Sequence, residues 1–580
     1  MKLLILSLLV YPFIAFGQVL PIIAETSGFK KTPEYQQIID WWKAADKQSQ
    51  QVKMFTMGPT DAGFPLHLVL IQRRGQPDIN SLKGKTVILI NNGIHPGEPD
   101  GIDASMLLAR DVITGKTMLP SNIILAIIPV YNIGGCLNRS TNYRVDQEGP
   151  EEFGFRGNSQ NLDLNRDFIK ADSKEARSFA QIFHSCDPLV FADNHVSNGA
   201  DYQHIMTLLS TQHNKLGGVM GTYLNDRFEP GIYQSMKSKG YDLVPYVNHF
   251  GETPDSGWSQ FVDYNRYSSG YASLWQCFSF TPETHMLKTY EQRVKATYAL
   301  MQSFIEYTSS HEKEMLELRR KARQDVKTQS SFAITWNLEK DKSTSITFKG
   351  FEAGKKTSEV SGLQRLYYDR TKPFEKKVPF QNYFTPAIEV NKPSAYIIPQ
   401  GWWKVIELLK LNKVQMVQLK SDTSIEVEQY YIQEYATSPR QYEMHHVNSD
   451  VKLQVKTEKL HYRKGDFVIP MNQEANRFIV EVLEPQAPDS YFAWNFFDAI
   501  LGQKEGYSHY VFEDKAADYL QKHPELRKQL ESKKQTDTAF AKSASAQLDF
   551  VYKNSEYFEP AFKTYPVGRV IGEGKMKNEK

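Results

Sequence analysis

The sequence predicts an α/β protein, with a helix-flanked, mostly parallel or mixed sheet in the first half and a β-rich accessory region behind it. Three observations point there. Residues 86–90, 123–130 and 189–192 are apolar runs with almost no polar alternation, and such strands need both sheet faces covered. Stretches of helical period lie between them, at about 101–112 and around Ala176, Phe179, Ala180 and Phe183. Beyond about residue 330 the pattern shortens to strands between polar turns.

Taken in order, the run at 86–90 opens after Gly84 and is stopped by Asn91-Asn92-Gly93. The helix at 101–112, the run at 123–130, the second helix, the run at 189–192 and a short strand at 205–209 follow. A helix at about 289–308 closes this domain. The stretch 311–327 carries ten charged residues, including Arg319, Arg320, Lys321 and Arg323, and reads as a linker or as the solvated end of a long helix. Strands are then expected at 331–338, 345–351, 364–368, 396–398, 415–419, 425–432, 451–455, 466–470 and 478–482. A short helix falls at 402–409, and further helices at 513–533 and 539–552. The plan is a signal peptide at 1–17, an α/β domain at 18–315, a linker at 316–330, a β-rich domain at 331–500 and a mainly helical extension at 501–580, frayed at 575–580.

At 580 residues the chain is too long for one ordinary core, and 41% hydrophobic with 23% charged residues suits compact folded units. A net charge of +2 gives no concentrated basic stripe, which argues against a nucleic-acid partner. Lys2, an apolar run at 3–16 and the small-x-small box Ala15-Phe16-Gly17 form an export signal with Gln18 as the mature start. The run is shorter than the roughly 20 residues a membrane span needs, and no later window supplies one. The mature chain is therefore expected without a transmembrane helix, in the periplasm or outside the cell if the source is bacterial. Cys136, Cys186 and Cys277 lie far apart with no C-x-x-C spacing and read as buried thiols.

The sharpest local feature is His95-Pro96-Gly97-Glu98, directly after the strand at 86–90. Open α/β sheets bind ligands beyond the carboxyl ends of their strands. Zinc takes imidazole nitrogen and carboxylate oxygen and keeps an open position for water in catalytic sites. His195 follows the next apolar run in the same way, with Asp193 as a carboxylate that could orient its imidazole. His204 lies past a turn and reads as an ordinary hydrogen-bonded His. Between these pieces stands Asn161-Leu162-Asp163-Leu164-Asn165-Arg166-Asp167-Phe168. Arg166 could clamp a carboxylate with Asn165 beside it, or the segment could be a surface turn with an internal Arg–Asp pair.

These motifs resemble the zinc metallocarboxypeptidases of the pancreatic A and B type. His95 to Glu98 is similar to the family's H-x-x-E, Asn161 to Phe168 to its D-x-N-R-[ND]-[FW] segment, and His195 falls where its third ligand is expected. Arg156, in Phe155-Arg156-Gly157-Asn158, matches the arginine that stabilises the oxyanion. Glu283, in Ser279-Phe280-Thr281-Pro282-Glu283-Thr284-His285, matches the general base. The resemblance covers roughly residues 85–300. It implies one Zn²⁺ on His95, Glu98 and His195, Glu283 and Arg156 as catalytic groups, and Asn165 and Arg166 on the terminal carboxylate of a peptide, such as a cell-wall peptide. Tyr264, Tyr267 and Tyr271 compete for the substrate-covering tyrosine, and Val196 stands where the family commonly has Ser. Two other readings are open: a related amidohydrolase or cell-wall peptide-trimming enzyme, and an inactive scaffold that binds peptide or glycan.

Overall fold

The computed structural model describes residues 20–572. The expected signal peptide at 1–17 and the tail at 575–580 lie outside the described residues. The chain divides into two compact units. The first runs to Asn391 and includes Leu408–Val414 and Gln473–Ile479; the second holds Lys392–Glu407, Gln415–Asn472 and the chain from Val480 onward.

The first unit is built on a mixed nine-stranded sheet. Across it the strands run Val52–Pro59, Pro65–Gln72, Ile123–Ile128, Thr86–Asn91, Val190–Asp193, Phe278–His285, Met206–Ser210 and Val244–Pro245, with His195–Ser197 also on Phe278–His285. The four strands from Ile123–Ile128 to Phe278–His285 are parallel, and Met206–Ser210 pairs antiparallel with the last of them. Successive side chains of a strand point to opposite faces. Ile88, Ile90, Val190 and Ala192 accordingly join a core with Ile102 and Leu108 of the helix Asp100–Ile113 and with Val294 and Phe304 of Tyr290–Thr328. Phe191 packs instead against Phe179 and Phe183 of the helix Lys174–Cys186, at 5.7 and 6.2 Å between ring centroids. Helices cover both faces, which is why these strands lack polar alternation.

The helix expected at 289–308 runs on to Thr328. A capping box starts it: the Thr289 hydroxyl accepts from the Gln292 amide, and the Gln292 side chain accepts from the Thr289 amide. No Gly or Pro interrupts it, and its charged end is tied down, because Arg319 donates to the Asp187 carbonyl at 3.0 Å and Arg323 to the Asp187 carboxylate at 3.2 Å. The stretch expected as a linker at 316–330 is thus mostly the end of this helix.

The β-rich region expected from 331 is also divided. Thr344–Thr357 and Gln364–Gln381 form a long hairpin whose second strand pairs with Trp258–Ser259. Phe348, Val378 and Phe380 are buried with Tyr202, Val244 and Trp258, so this hairpin belongs to the first unit. The second unit has its own antiparallel six-stranded sheet, in the order Val417–Gln418, Phe467–Pro470, Ala395–Ile398, Gly568–Val570, Thr423–Thr437 and Asn448–Tyr462. The region expected to be mainly helical therefore returns a strand, Gly568–Val570, to the middle of a sheet.

Three further expected elements differ, one of them the helix expected at 539–552, which is two, Thr538–Ala541 and Ala544–Lys553. Residues 478–482 form the helix Asn476–Leu483 rather than a strand. Phe478, Ile479, Val480, Glu481, Val482 and Leu483 are all buried, so this helix has no wet face and leaves no 3.6-residue period to read. The helix expected at 513–533 is two, His509–Lys522 and Pro524–Thr536, because Pro524 lacks the amide that would continue the first and suits the start of the second. No helix of the described residues is long and apolar enough to cross a membrane. All three cysteines are free and buried.

Asp103, fully buried in the first turn of Asp100–Ile113, accepts hydrogen bonds from Thr32 and Tyr290. Burial pushes its carboxyl up to about 7, Asp100 adds to the rise, and the two hydrogen bonds oppose it. The folded state therefore holds a proton that the unfolded chain, near pH 4, has released. Stability through this group is full below about pH 4 and falls as pH rises to about 7, by at most about 4 kcal/mol. Asp103→Asn is expected to flatten the decline in unfolding midpoint between pH 5 and pH 8. An unchanged slope in the variant would refute this.

Candidate active site

The site grows from one rim of the first unit's sheet. Asn91 and Asp193 pair at the carboxyl ends of neighbouring parallel strands, so the chain leaves both strands at the same edge. His95 stands four residues beyond the first and His195 two beyond the second. The turn that carries His95 and Glu98 closes with the Glu98 amide donating to the His95 carbonyl at 2.8 Å. Only glycine fits at position 97, since a β-carbon there would lie 2.6 Å from Arg144 Cδ and 2.8 Å from the Gly154 carbonyl oxygen. The strand Phe278–His285 runs parallel to His195–Ser197 with Glu283 opposite His195. Strand register, not chain proximity, places the two side by side.

His95, Glu98 and His195 are buried, and one nitrogen or oxygen from each lies within 4.8 Å of the others. Both imidazoles turn Nδ1 toward Glu98, at 3.3 Å for His95 and 3.2 Å for His195. Each presents Nε2 to a separate carboxylate: His95 to Asp163 at 2.9 Å and His195 to Asp193 at 3.1 Å. Asp193 therefore does what its position suggested, fixing the ring of His195, and is itself held by Asn91 at 2.9 Å. Asp163 does the same for His95 and also accepts from the Asn165 amide at 2.9 Å, which shapes the turn Leu164–Arg166.

A cation fits this donor set. His95 Nδ1 is buried with no hydrogen-bond partner, although its ring is locked from the far side by Asp163. Burial works against the charge of Glu98, but Arg144 and the two imidazoles outweigh it and hold the carboxyl well below the usual range. Two imidazole nitrogens and an ionised carboxylate make a zinc site with room for a further ligand.

The triad opens into a cavity of about 460 Å³ whose lining includes Arg156, Asn165, Arg166, Tyr267 and Glu283. Burial pushes Glu283 up to about 8; Glu98 adds to the rise, while His195, Arg156 and Arg144 oppose it. Arg156 is half exposed and grips Asp163 through Nε at 3.0 Å and Nη2 at 2.9 Å. Arg166 donates to the Asn165 carbonyl at 2.8 Å, and its guanidinium lies 4.8 Å from the centre of the Tyr267 ring. The Asn165 side-chain oxygen is buried with no hydrogen-bond partner.

Of the three competing tyrosines, only Tyr267 lines the cavity. Tyr271 is a core residue: it is fully buried and its hydroxyl donates to Asn412 at 2.6 Å. Tyr264 is absent from the cavity wall, whereas Tyr246, which the sequence did not single out, is on it. His204 uses both ring nitrogens, on the Asp242 carbonyl and the Lys349 amide, as an ordinary hydrogen-bonded His would. Val196 matters through its main chain, whose amide donates to Glu98 at 2.9 Å.

Arg144 was missed. It donates to Glu98 at 2.8 Å and to the Val196 carbonyl at 3.2 Å, and it also bonds Gln147, which donates to the Gly97 carbonyl at 2.9 Å. It thus braces the ligand turn from outside, from a left-handed backbone conformation with φ 49°. Nothing in its sequence neighbourhood signals this. Asp163 did carry a signal, as an acid two residues before Asn165.

Residues 38–224 match the family model described as zinc carboxypeptidase, a span that contains all three metal ligands. That segment of the first unit is similar to a zinc-carboxypeptidase catalytic domain. The match ends before Glu283, so the strand Phe278–His285 enters the domain through the sheet and not through the matched segment. No curated protein matches the chain. Among solved structures, a metallo-carboxypeptidase from Burkholderia cenocepacia aligns at 16% identity over 48% of this chain and 69% of that one, with a TM-score of 0.35. One from Pseudomonas aeruginosa aligns at 13% identity over 48% and 68%, with a TM-score of 0.36. Carboxypeptidase A from Helicoverpa armigera aligns at 15% identity over 51% and 74%, with a TM-score of 0.34. Within the matched span, the His95–Glu98–His195 triad is consistent with a metal-dependent hydrolase.

Proposed function

We propose that the protein is a metallocarboxypeptidase of the A and B type that removes the C-terminal residue of a peptide. The observation that carries this reading is the shared cavity: the metal triad, Glu283, Asn165 and Arg166 all line it. Zinc held by His95, Glu98 and His195 would supply Lewis acidity to a water and to the scissile carbonyl. Glu283 takes a proton from the attacking water and gives one to the leaving amine. Arg156 lies along the same wall, where it can face the oxygen on which negative charge develops. Arg166, steadied by Tyr267, holds the free carboxylate, and the Asn165 side-chain amide donates beside it. The substrate is then a peptide with a free C-terminus, a cell-wall peptide included, met after export to the periplasm or the exterior if the source is bacterial.

The test is the charge that sets the register. Comparing kcat/KM for a free-acid peptide and its C-terminal amide, in wild type and in Arg166→Ala, isolates the terminal carboxylate. Wild type is expected to favour the acid strongly, and the substitution to shrink that preference by damaging mainly the acid reaction, because a bidentate partner is lost. Arg166→Lys should restore only part of it, since an ammonium lacks the two-donor fork. Equal hydrolysis of acid and amide by wild type would move the reading to an endopeptidase or a related amidohydrolase.

A further inference from the structure

The two oxygens of Glu98 are held by different partners. Oε2 accepts from the Val196 amide at 2.9 Å and faces His195 Nδ1 at 3.2 Å. Oε1 accepts from Arg144 at 2.8 Å and faces His95 Nδ1 at 3.3 Å. The Glu98 side chain is 3% exposed, so its charge meets almost no water. Among the described residues the next guanidinium is Arg156 at 3.7 Å, and that group is taken up by Asp163. Arg144 is therefore the counter-charge of Glu98 as Arg156 is that of Asp163.

Arg144 is fixed where it stands. Each of its three guanidinium nitrogens has a partner, in Glu98, the Val196 carbonyl and the Gln147 side chain. Its methylene stem packs over Gly97, where an added β-carbon would strike Cδ and Cγ. It does not line the cavity that holds Glu283 and Arg166. Its influence on that cavity passes through Glu98.

A buried carboxylate without a partner charge is costly, and Glu98 has two suitors for that place, Arg144 and the cation of the triad. A second positive charge at the same carboxylate gains less than a first, because the two cations repel each other across a site of low dielectric. We propose that Arg144 is a positioning residue that competes with zinc for Glu98, keeping the carboxylate in place at the expense of metal affinity. This rests on the metal triad assigned above. A carboxylate shared with Arg144 also neutralises less of the cation's charge.

Zinc affinity of the full chain, measured by competition with a chromophoric chelator, tests this without turnover. Arg144→Met keeps the stem over Gly97 and removes the charge. It is expected to bind zinc on the order of 10 to 100-fold more tightly than wild type, the range for a hydrogen bond to a charged group. Arg144→Gln, which leaves a donor for the Val196 carbonyl, should shift affinity in the same direction. Arg144→Lys keeps the charge and should stay near wild type. The unfolding midpoint of Arg144→Met should fall in zinc-free protein and recover when zinc is added, since a ligand bound only by the folded state stabilises it more as its affinity rises. A brace with no charge role would lower both midpoints and loosen the metal. Zinc binding by Arg144→Met that equals or falls below that of wild type overturns the inference, and so does an Arg144→Lys variant that behaves like Arg144→Met. A wild type that takes up no zinc defeats the triad assignment itself. The expected affinities in an enzyme that cleaves no peptide would sustain the role of Arg144 and defeat the carboxypeptidase reading.

Discussion

Glu283→Gln is expected to lower kcat by on the order of 10² to 10⁴-fold, the usual contribution of a positioned acid–base group and roughly 3 to 5 kcal/mol of barrier. Glutamine keeps the shape of the side chain but cannot take a proton from water. The main-chain pairing of this strand with His195–Ser197 and with Met206–Ser210 does not depend on the carboxylate. Zinc content and unfolding midpoint should therefore stay near those of wild type while turnover collapses. A variant that keeps more than about a tenth of wild-type kcat would remove Glu283 from the proposed chemistry. One that loses its zinc would show instead that the carboxylate serves the metal site.

Substituting Ala for His95, Glu98 or His195 is the second large effect. Each removes one of three buried donors, and the remaining two leave a cation incompletely held. Purified wild type should carry about one zinc per chain, and each variant should lose most of it together with activity. Full zinc retention in all three variants would discard the triad. The carboxylates behind the rings allow a graded version. Asp163→Asn and Asp193→Asn each weaken the orientation of one imidazole and are expected to reduce zinc affinity by about 10 to 100-fold. Chelation should abolish hydrolysis, and added zinc should restore it.

Much of this site was legible along the chain because its parts sit at strand ends. Apolar runs announce buried parallel strands, and the polar residues directly after them fall at one rim whatever the loops between them do. His95, Glu98 and His195 could be read in this way, and so could Asp193. The same logic failed at 478–482, where a helix buried all round offers no period; at 311–327 it left linker and helix end open, and Asp187 anchors the end of a helix.

What the sequence alone determined is the alternation of buried strands and helices in the first unit and the chemistry at the ends of its strands, because both depend on local pattern. Tertiary structure alone decided the rest. It put Glu283 opposite His195 through a strand pairing between residues 88 apart, and it sent Tyr271 to the core while leaving Tyr267 at the cavity. It also set Arg144 against Glu98 from a loop with no motif. Each of these depends on which surfaces meet after the sheet has closed, and contacts between distant parts of a chain leave no periodic trace in either part.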